Sequence, residues 1–133
     1  MQIDHIGVVV KNTEETLKAF AELFGFGIEE VQVFPDQGFK STIVSKDAAR
    51  FELIEPMGDR GSIQKFIGKS GYGLHHISLR IKNIEKELDA LSEKGARLIN
   101  TKPVPITEAS SISFLHPASA AGILIELIQR EAE

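Results

Sequence analysis

The sequence predicts an α+β fold made of two tandem βαβββ modules, which form curved mixed sheets around a metal-binding cavity. Three observations lead to this prediction, and the first is an internal repeat. Residues 4–12 align with residues 75–83 at a constant offset of 71, and each copy carries a His-Ile pair that opens an apolar strand ending in Lys-Asn. Such a repeat indicates two copies of one supersecondary unit. It gives His5 and His76 equivalent positions.

The second observation is an acidic residue inside an apolar strand near the end of each half. Glu52 lies in Phe-Glu-Leu-Ile and Glu126 in Ile-Glu-Leu-Ile, 47 and 50 residues after His5 and His76. A buried carboxylate without a partner would cost several kcal/mol, so Glu126 must meet a cation, a proton or water. Two halves related by a pseudo-twofold axis would bring all four residues together. Two imidazoles and two carboxylates suit one divalent ion per chain, such as Co, Zn, Ni or Mn.

The third observation is that periodicity gives the same order of elements in both halves. A connector at 57–72, with a short helix around Ile63, separates modules at about 1–56 and 73–133 within a single domain, 1–133. In the first module a cap at Asn12 or Thr13 starts the helix and Gly25 ends it. The predicted strands and helices are 2–10 (strand), 13–24 (helix), 28–34, 39–45 and 50–55 (strands), then 74–81 (strand), 84–94 (helix), 97–100, 112–116 and 122–128 (strands).

Strand alternation decides which histidine of the His75-His76 pair faces the cavity. Successive side chains of a strand point to opposite faces. His76 shares its face with Ser78 and Arg80, whereas His75 shares its face with apolar residues that a helix would cover. We therefore predict His76 as the ligand and His75 as its neighbour. Glu55, beside Pro56 at a strand end, is expected in solvent.

Composition narrows the class of protein. The chain has 133 residues, 42% hydrophobic and 26% charged, and no cysteine, so a metal would be held by nitrogen and oxygen ligands. The net charge of −4 argues against a nucleic-acid surface. No stretch resembles a signal peptide or reaches membrane length. We expect a soluble, cytoplasmic protein.

Four motifs identify a family. The sequence contains Asp-His-Ile-Gly at 4–7, Gly-Leu-His-His-Ile at 73–77, Phe-Leu-His-Pro at 114–117 and Ile-Leu-Ile-Glu-Leu at 123–127. Together they resemble the vicinal oxygen chelate superfamily (glyoxalase, bleomycin resistance and dioxygenase proteins), and within it the methylmalonyl-CoA epimerases. The resemblance covers nearly the whole chain, including the connector segment 62–67. It implies a glyoxalase-like VOC domain, a homodimer, and metal ligands at the same four residues that the repeat selects.

The resemblance also implies the chemistry. It indicates epimerisation of a short branched acyl-CoA, methylmalonyl-CoA above all, by 1,1-proton transfer through a metal-stabilised enolate. The epimerases carry their second catalytic acid in a Glu-Gln-Gly turn, and the matching turn here is Asp36-Gln37-Gly38. Glu126 and Asp36 are therefore the implied acid and base. From the residues alone, Asp36 in such a turn is only a turn former, and its side chain is one methylene shorter than the family's glutamate.

Other functions fit parts of the pattern. Lactoylglutathione lyase (glyoxalase I) uses the same four-ligand arrangement. A metal-free binding or resistance protein of the same superfamily needs no ligand set at all. An extradiol dioxygenase needs two histidines and one carboxylate, which would leave Glu52 unexplained. The bound metal and the accepted substrate would separate these alternatives.

Overall fold

The computed structural model describes residues 1–131, in which eight strands and three α-helices form. The chain divides into two compact units: an N-terminal unit of residues 5–75, and a C-terminal unit of residues 76–133 together with residues 1–4. No helix among the described residues is both long and apolar enough to span a bilayer. The elements, in chain order, are β1 (Gln2–Val9), α1 (Thr13–Phe24), β2 (Gly27–Phe34), β3 (Phe39–Lys46), β4 (Ala49–Pro56), α2 (Ser62–Ser70), β5 (Gly73–Arg80), α3 (Ile84–Glu93), β6 (Val104–Thr107), β7 (Ser110–Leu115) and β8 (Ile125–Arg130).

The N-terminal unit has strands in the order β2-β3-β4-β1. The β1 and β4 strands are parallel and the other neighbours are antiparallel, so the sheet is mixed as predicted. One face packs against α1, which contributes Leu17 and Phe20 to a core around Val44 and Leu53. A second cluster, containing Val9, Ile54 and Ile63, lies against α2. Gly25 ends α1 in the left-handed conformation (φ 79°), where a glycine is the favoured residue.

The C-terminal unit repeats this plan with strands in the order β5-β8-β7-β6. Its parallel pair is β5 with β8, and its other pairs are antiparallel. Ile84 and Leu88 of α3 pack with Ile81, Leu115 and Leu127 in a buried apolar core. Each half is thus a βαβββ module, and the predicted α+β fold class is confirmed.

The repeat extends to the first turn of the helices. Asn12 and Asn83, 71 residues apart, are both N-caps in extended conformation (φ −145° and −137°). Their side-chain oxygens accept hydrogen bonds from the backbone N–H groups of Glu15 (3.0 Å) and Lys86 (3.1 Å). Such bonds satisfy amide donors that the helix itself leaves unpaired.

A second pair of side chains caps the same helices from the neighbouring strand. Glu55 accepts a hydrogen bond from the backbone N–H of Thr13 at 2.7 Å, and Gln129 accepts one from Ile84 at 2.8 Å. Glu55 is half-buried rather than solvated, so that expectation was wrong. The physical reason is that the first amide of α1 needs an acceptor there. The position of Glu55 at a strand end gives no sign of this contact.

The strand predicted at 97–100 is also wrong. Only an isolated bridge between Leu98 and Leu115 forms in this segment, and the edge strand is β6, which pairs with β7 further along. Bends at residues 101–102 separate the two stretches, so one continuous strand does not form. At the end of the first stretch, the side chain of Asn100 accepts a hydrogen bond from the N–H of Phe114 at 2.9 Å.

Candidate metal centre

The N-terminal unit brings His5 and Glu52 together. Gly7 of β1 lies beside Glu52 of β4 in the parallel pair, and His5 precedes Gly7 by two residues on the same face. The distance from His5 Nε2 to Glu52 Oε1 is 3.5 Å, and the two side chains are 5% and 17% exposed. The pair is therefore largely withdrawn from water.

The other carboxylate oxygen of Glu52 is held by a hydroxyl. Ser41 of β3, itself 3% exposed, donates a hydrogen bond through Oγ to Glu52 Oε2 at 2.6 Å. An O–H donor to an ionised carboxylate forms short, strong hydrogen bonds of about this length. Oε1 is left as the oxygen that faces His5.

The C-terminal unit brings His76 and Glu126 together in the matching way. Ser78 of β5 lies beside Glu126 of β8 in the parallel pair, as Gly7 lies beside Glu52. The distance from His76 Nε2 to Glu126 Oε2 is 3.8 Å, and the side chains are 3% and 7% exposed. The β8 strand runs between β5 and β7. Glu126 is thus not on a solvated edge strand.

Two further side chains border this second pair. The ring of Phe114, the residue in register with Glu126 on β7, meets the imidazole of His76 edge to face, with centroids 5.8 Å apart. Ser78 is fully buried, and its Oγ has no hydrogen-bond partner among the described residues. A buried hydroxyl without a partner is uncommon in a folded protein. Ser78 is in register with Glu126 and follows His76 by two residues on the same face of β5.

The donor set in each unit fits a divalent ion. Two ligand atoms about 2.1 Å from a tetrahedral ion lie roughly 3.4 Å apart. The imidazole-to-carboxylate distances of 3.5 and 3.8 Å are close to that separation. Burial supports the same assignment, because a buried carboxylate needs a cation, a proton or hydrogen bonds. Zinc, cobalt, nickel and manganese all accept this mixture of nitrogen and oxygen ligands.

His75 has a different environment from His76. Its half-buried ring packs against Phe66 of α2, with ring centroids 4.7 Å apart. Adjacent residues of β5 thus point to different surroundings, as strand alternation predicts.

A buried acid beside His5 in the chain was missed from the sequence. The side chain of Asp4 is fully buried and paired with two arginines of the C-terminal unit: Arg80 Nη2 lies 2.6 Å from its Oδ1, and Arg130 Nη2 donates to its Oδ2 at 3.0 Å. The Asp4-His5 dipeptide alone does not indicate whether the aspartate is buried or exposed. The two arginines border a cavity of about 840 Å³, to which Lys82 and Lys86 also contribute.

Comparison with known proteins identifies the family. The model of the glyoxalase/bleomycin resistance protein/dioxygenase superfamily matches residues 4–116. The chain belongs to this superfamily. The match includes His5, Glu52 and His76, the three α-helices, and the strands up to β7.

Three individual proteins are similar to almost the whole of this chain. A mitochondrial methylmalonyl-CoA epimerase of Dictyostelium discoideum is 27% identical over 130 residues, covering 97% of this chain and 78% of the relative. A hypothetical protein of Bacillus halodurans C-125 superposes with a TM-score of 0.92 at 32% identity, covering 99% of this chain and 96% of that one. A Streptomyces coelicolor methylmalonyl-CoA epimerase variant in complex with 2-nitronate-propionyl-CoA gives a TM-score of 0.88 at 27% identity, covering 100% and 99%.

Asp36, which the resemblance to the superfamily's epimerases selects, is exposed in the turn between β2 and β3. The backbone holds this turn firmly. The carbonyl of Phe34 accepts the N–H groups of Gln37 (3.1 Å) and Gly38 (2.9 Å), and Gly38 in turn accepts the N–H of Met57 at 2.7 Å. A Cβ on Gly38, whose φ is 81°, would lie 2.6 Å from a backbone oxygen of the segment before α2. The turn therefore presents Asp36 from a fixed backbone.

Proposed function

We propose that this protein is a metal-dependent epimerase of a short branched acyl-CoA, with methylmalonyl-CoA as its substrate. The observation that carries the proposal is the pair of equivalent, buried His–Glu contacts, one in each unit. Similarity to methylmalonyl-CoA epimerases over almost the whole chain supports it.

In this proposal the four side chains hold one divalent ion. His5 and Glu52 supply two ligands, and His76 and Glu126 supply the other two. The sequence repeat supports the joint site, because equivalent residues of two related modules are the natural donors to an ion shared between them. Cobalt, zinc, nickel and manganese are the candidates.

The reaction moves one proton at the carbon α to the thioester. When bound, the ion supplies Lewis-acid stabilisation of the negative charge that develops on the substrate oxygens. Glu126 exchanges the α-proton on one face of the carbon and Asp36 exchanges it on the other, so that removal on one side and return on the other inverts the centre. Burial around Glu126 keeps competing water away from its carboxylate.

The C-terminal unit also offers positive charge to the phosphates of coenzyme A. Arg80, Lys82, Lys86 and Arg130 line one cavity, and two acidic residues of the same lining, Glu87 and Glu131, offset part of their charge. Asp4 forms ion pairs with both arginines and so orients their side chains. The conformational entropy that they lose on binding an anion is therefore smaller. This arrangement supports an acyl-CoA over an uncharged substrate.

A homodimer and a cytoplasmic location complete the proposal. The homodimer comes from the family resemblance, and the location is favoured by the absence of cysteine. Sedimentation analysis of the purified protein tests the first. Fractionation of the source cells tests the second.

The deciding experiment measures metal content and activity on the same preparation. The protein, purified without chelator, should carry about one divalent ion per chain and should epimerise methylmalonyl-CoA, with solvent deuterium entering the α-position in heavy water. Glu126→Gln is the matched variant and should lose both isotope exchange and turnover, because Glu126 is a proposed ligand of the ion as well as one of the two proton-exchanging groups. Conversion of the methylglyoxal–glutathione hemithioacetal, without acyl-CoA turnover, would instead assign lactoylglutathione lyase. Absence of both metal and turnover would assign a binding protein.

A further inference from the structure

The hydroxyl of Ser41 is placed to act on a proposed metal ligand. Ser41 lies on β3, is 3% exposed, and donates to Glu52 Oε2 at 2.6 Å. The same carboxylate presents its other oxygen, Oε1, to His5 at 3.5 Å. One oxygen is thus committed to a protein donor while the other faces the partner ligand.

The second half of the chain shows that the framework does not need this hydroxyl. Ser41 is in register with Ile54, two residues after Glu52. The matching residue, in register with Ile128 two residues after Glu126, is Ile112. Isoleucine has no donor. The hydroxyl therefore belongs to the environment of Glu52 rather than to the βαβββ plan.

A carboxylate can bind an ion through one oxygen or both, and it can rotate between these modes. A fixed donor on Oε2 favours binding through Oε1 alone and reduces the freedom that Glu52 loses when the ion arrives. Carboxylates that bind a metal commonly accept a hydrogen bond from such a partner, which orients the ligand and tunes the properties of the ion. The residue of β7 that corresponds to Ser41 is Ile112, whose side chain has no hydroxyl.

We propose that Ser41 is a positioning residue that fixes Glu52 as a one-oxygen ligand of the divalent ion. The inference rests on the proposed metal site. It assigns to Glu52 the task of a stationary ligand, separate from the proton-exchanging task proposed for Glu126.

The test is the affinity of the metal-free protein for Mn²⁺ and Co²⁺, measured by calorimetric titration without substrate. Ser41→Ala should bind each ion 10- to 100-fold more weakly, the range found when a partner of a metal ligand is removed. Ser113→Ala is the matched control. Ser113 is also fully buried and also donates at 2.6 Å, but to the backbone carbonyl of Asn100. Its affinity for the ions should stay within about threefold of wild type.

Two further variants separate positioning from a general structural effect. In a Glu52→Gln background, Ser41→Ala should cause a smaller additional loss of affinity, because the hydroxyl then meets a neutral amide in place of a carboxylate. Ser41→Thr keeps the hydroxyl and should recover most of the affinity. Equal affinities for Ser41→Ala and Ser113→Ala, or an undiminished loss in the Glu52→Gln background, would overturn the role of Ser41 and leave the metal site standing. A wild-type protein that binds neither ion would overturn the metal site, and Ser41 with it.

Discussion

The two halves of the chain share their framework and differ beside their carboxylates. Both place a histidine and a glutamate on a parallel strand pair, and the separations agree to 0.3 Å (3.5 and 3.8 Å). Around Glu52 there is a serine donor from β3. Around Glu126 there are instead the ring of Phe114 and the buried hydroxyl of Ser78, in register with it on either side.

The difference shows which features a repeated module must keep. Strand order, helix position and helix caps recur because each module has to bury one sheet face and satisfy its own helix ends. The neighbours of the carboxylate are free to diverge. In the first half Ser41 donates to a Glu52 that is 17% exposed, and in the second half Glu126 is 7% exposed beside Phe114.

The largest expected effect tests whether both halves contribute to one ion. His5→Ala and His76→Ala should each abolish metal binding, because each removes one of four proposed ligands. His75→Ala should largely spare it, since that ring packs against Phe66. Elemental analysis after dialysis against the metal measures this. Metal loss in His75→Ala with retention in His76→Ala would show that the cavity-facing histidine was wrongly chosen.

A second prediction concerns Asp36, in the turn between β2 and β3. Asp36→Asn should keep its metal, because Asp36 is not a proposed ligand, and should lose epimerisation by a factor on the order of 100 or more. One enantiomer should still exchange its α-proton in heavy water through Glu126. Proton exchange followed separately for each enantiomer measures both effects.

The control for Asp36 lies at the other end of β3, in the turn to β4. Asp47 is also an exposed turn aspartate, and its φ of 53° is one that asparagine adopts readily. Asp47→Asn should therefore leave both turnover and exchange unchanged. If Asp36→Asn behaves in the same way, Asp36 is a turn residue only.

Local patterns were sufficient for much of the fold. The His-Ile repeat, helical spacing and the Asn caps predicted β1, β5, α1 and α3 close to their observed ends, because these signals lie within a few residues of one another. The prediction of the edge strand of the second module was wrong, because pairing with β7 decides which part of the segment becomes β6. An edge strand has one neighbour, so its limits depend on a distant segment.

Some contacts of the candidate site were also predictable from the sequence, and others were not. The His–Glu pairs followed from the repeat, which carries spatial information across 47 and 50 residues. The contacts of Ser41 and Asp4 did not. Each depends on which side chain of another strand lies opposite, and no periodicity in the sequence encodes that choice. A polar residue inside an apolar strand was the available signal for Ser41, and it does not name the partner.

The smallest expected effect tests the shared framework itself. Asn12 and Asn83 are both exposed caps with one side-chain hydrogen bond, of 3.0 and 3.1 Å. Asn12→Ala and Asn83→Ala should each lower the free energy of unfolding by about 1 kcal/mol, the usual cost of removing such a cap. Urea unfolding of the two variants measures this.

The preceding residues provide matched controls for both caps. Lys11 and Lys82, also 71 residues apart, are exposed and immediately precede Asn12 and Asn83. Their alanine variants should stay within about 0.5 kcal/mol of wild type, because exposed side chains away from caps contribute little to stability. Equal losses at the two caps would show that the halves share their energetics as well as their geometry. A loss at one cap alone would show that the other helix does not depend on its asparagine. Its first turn would then be held by other contacts, of which the first candidates are the strand-end acceptors Glu55 for α1 and Gln129 for α3.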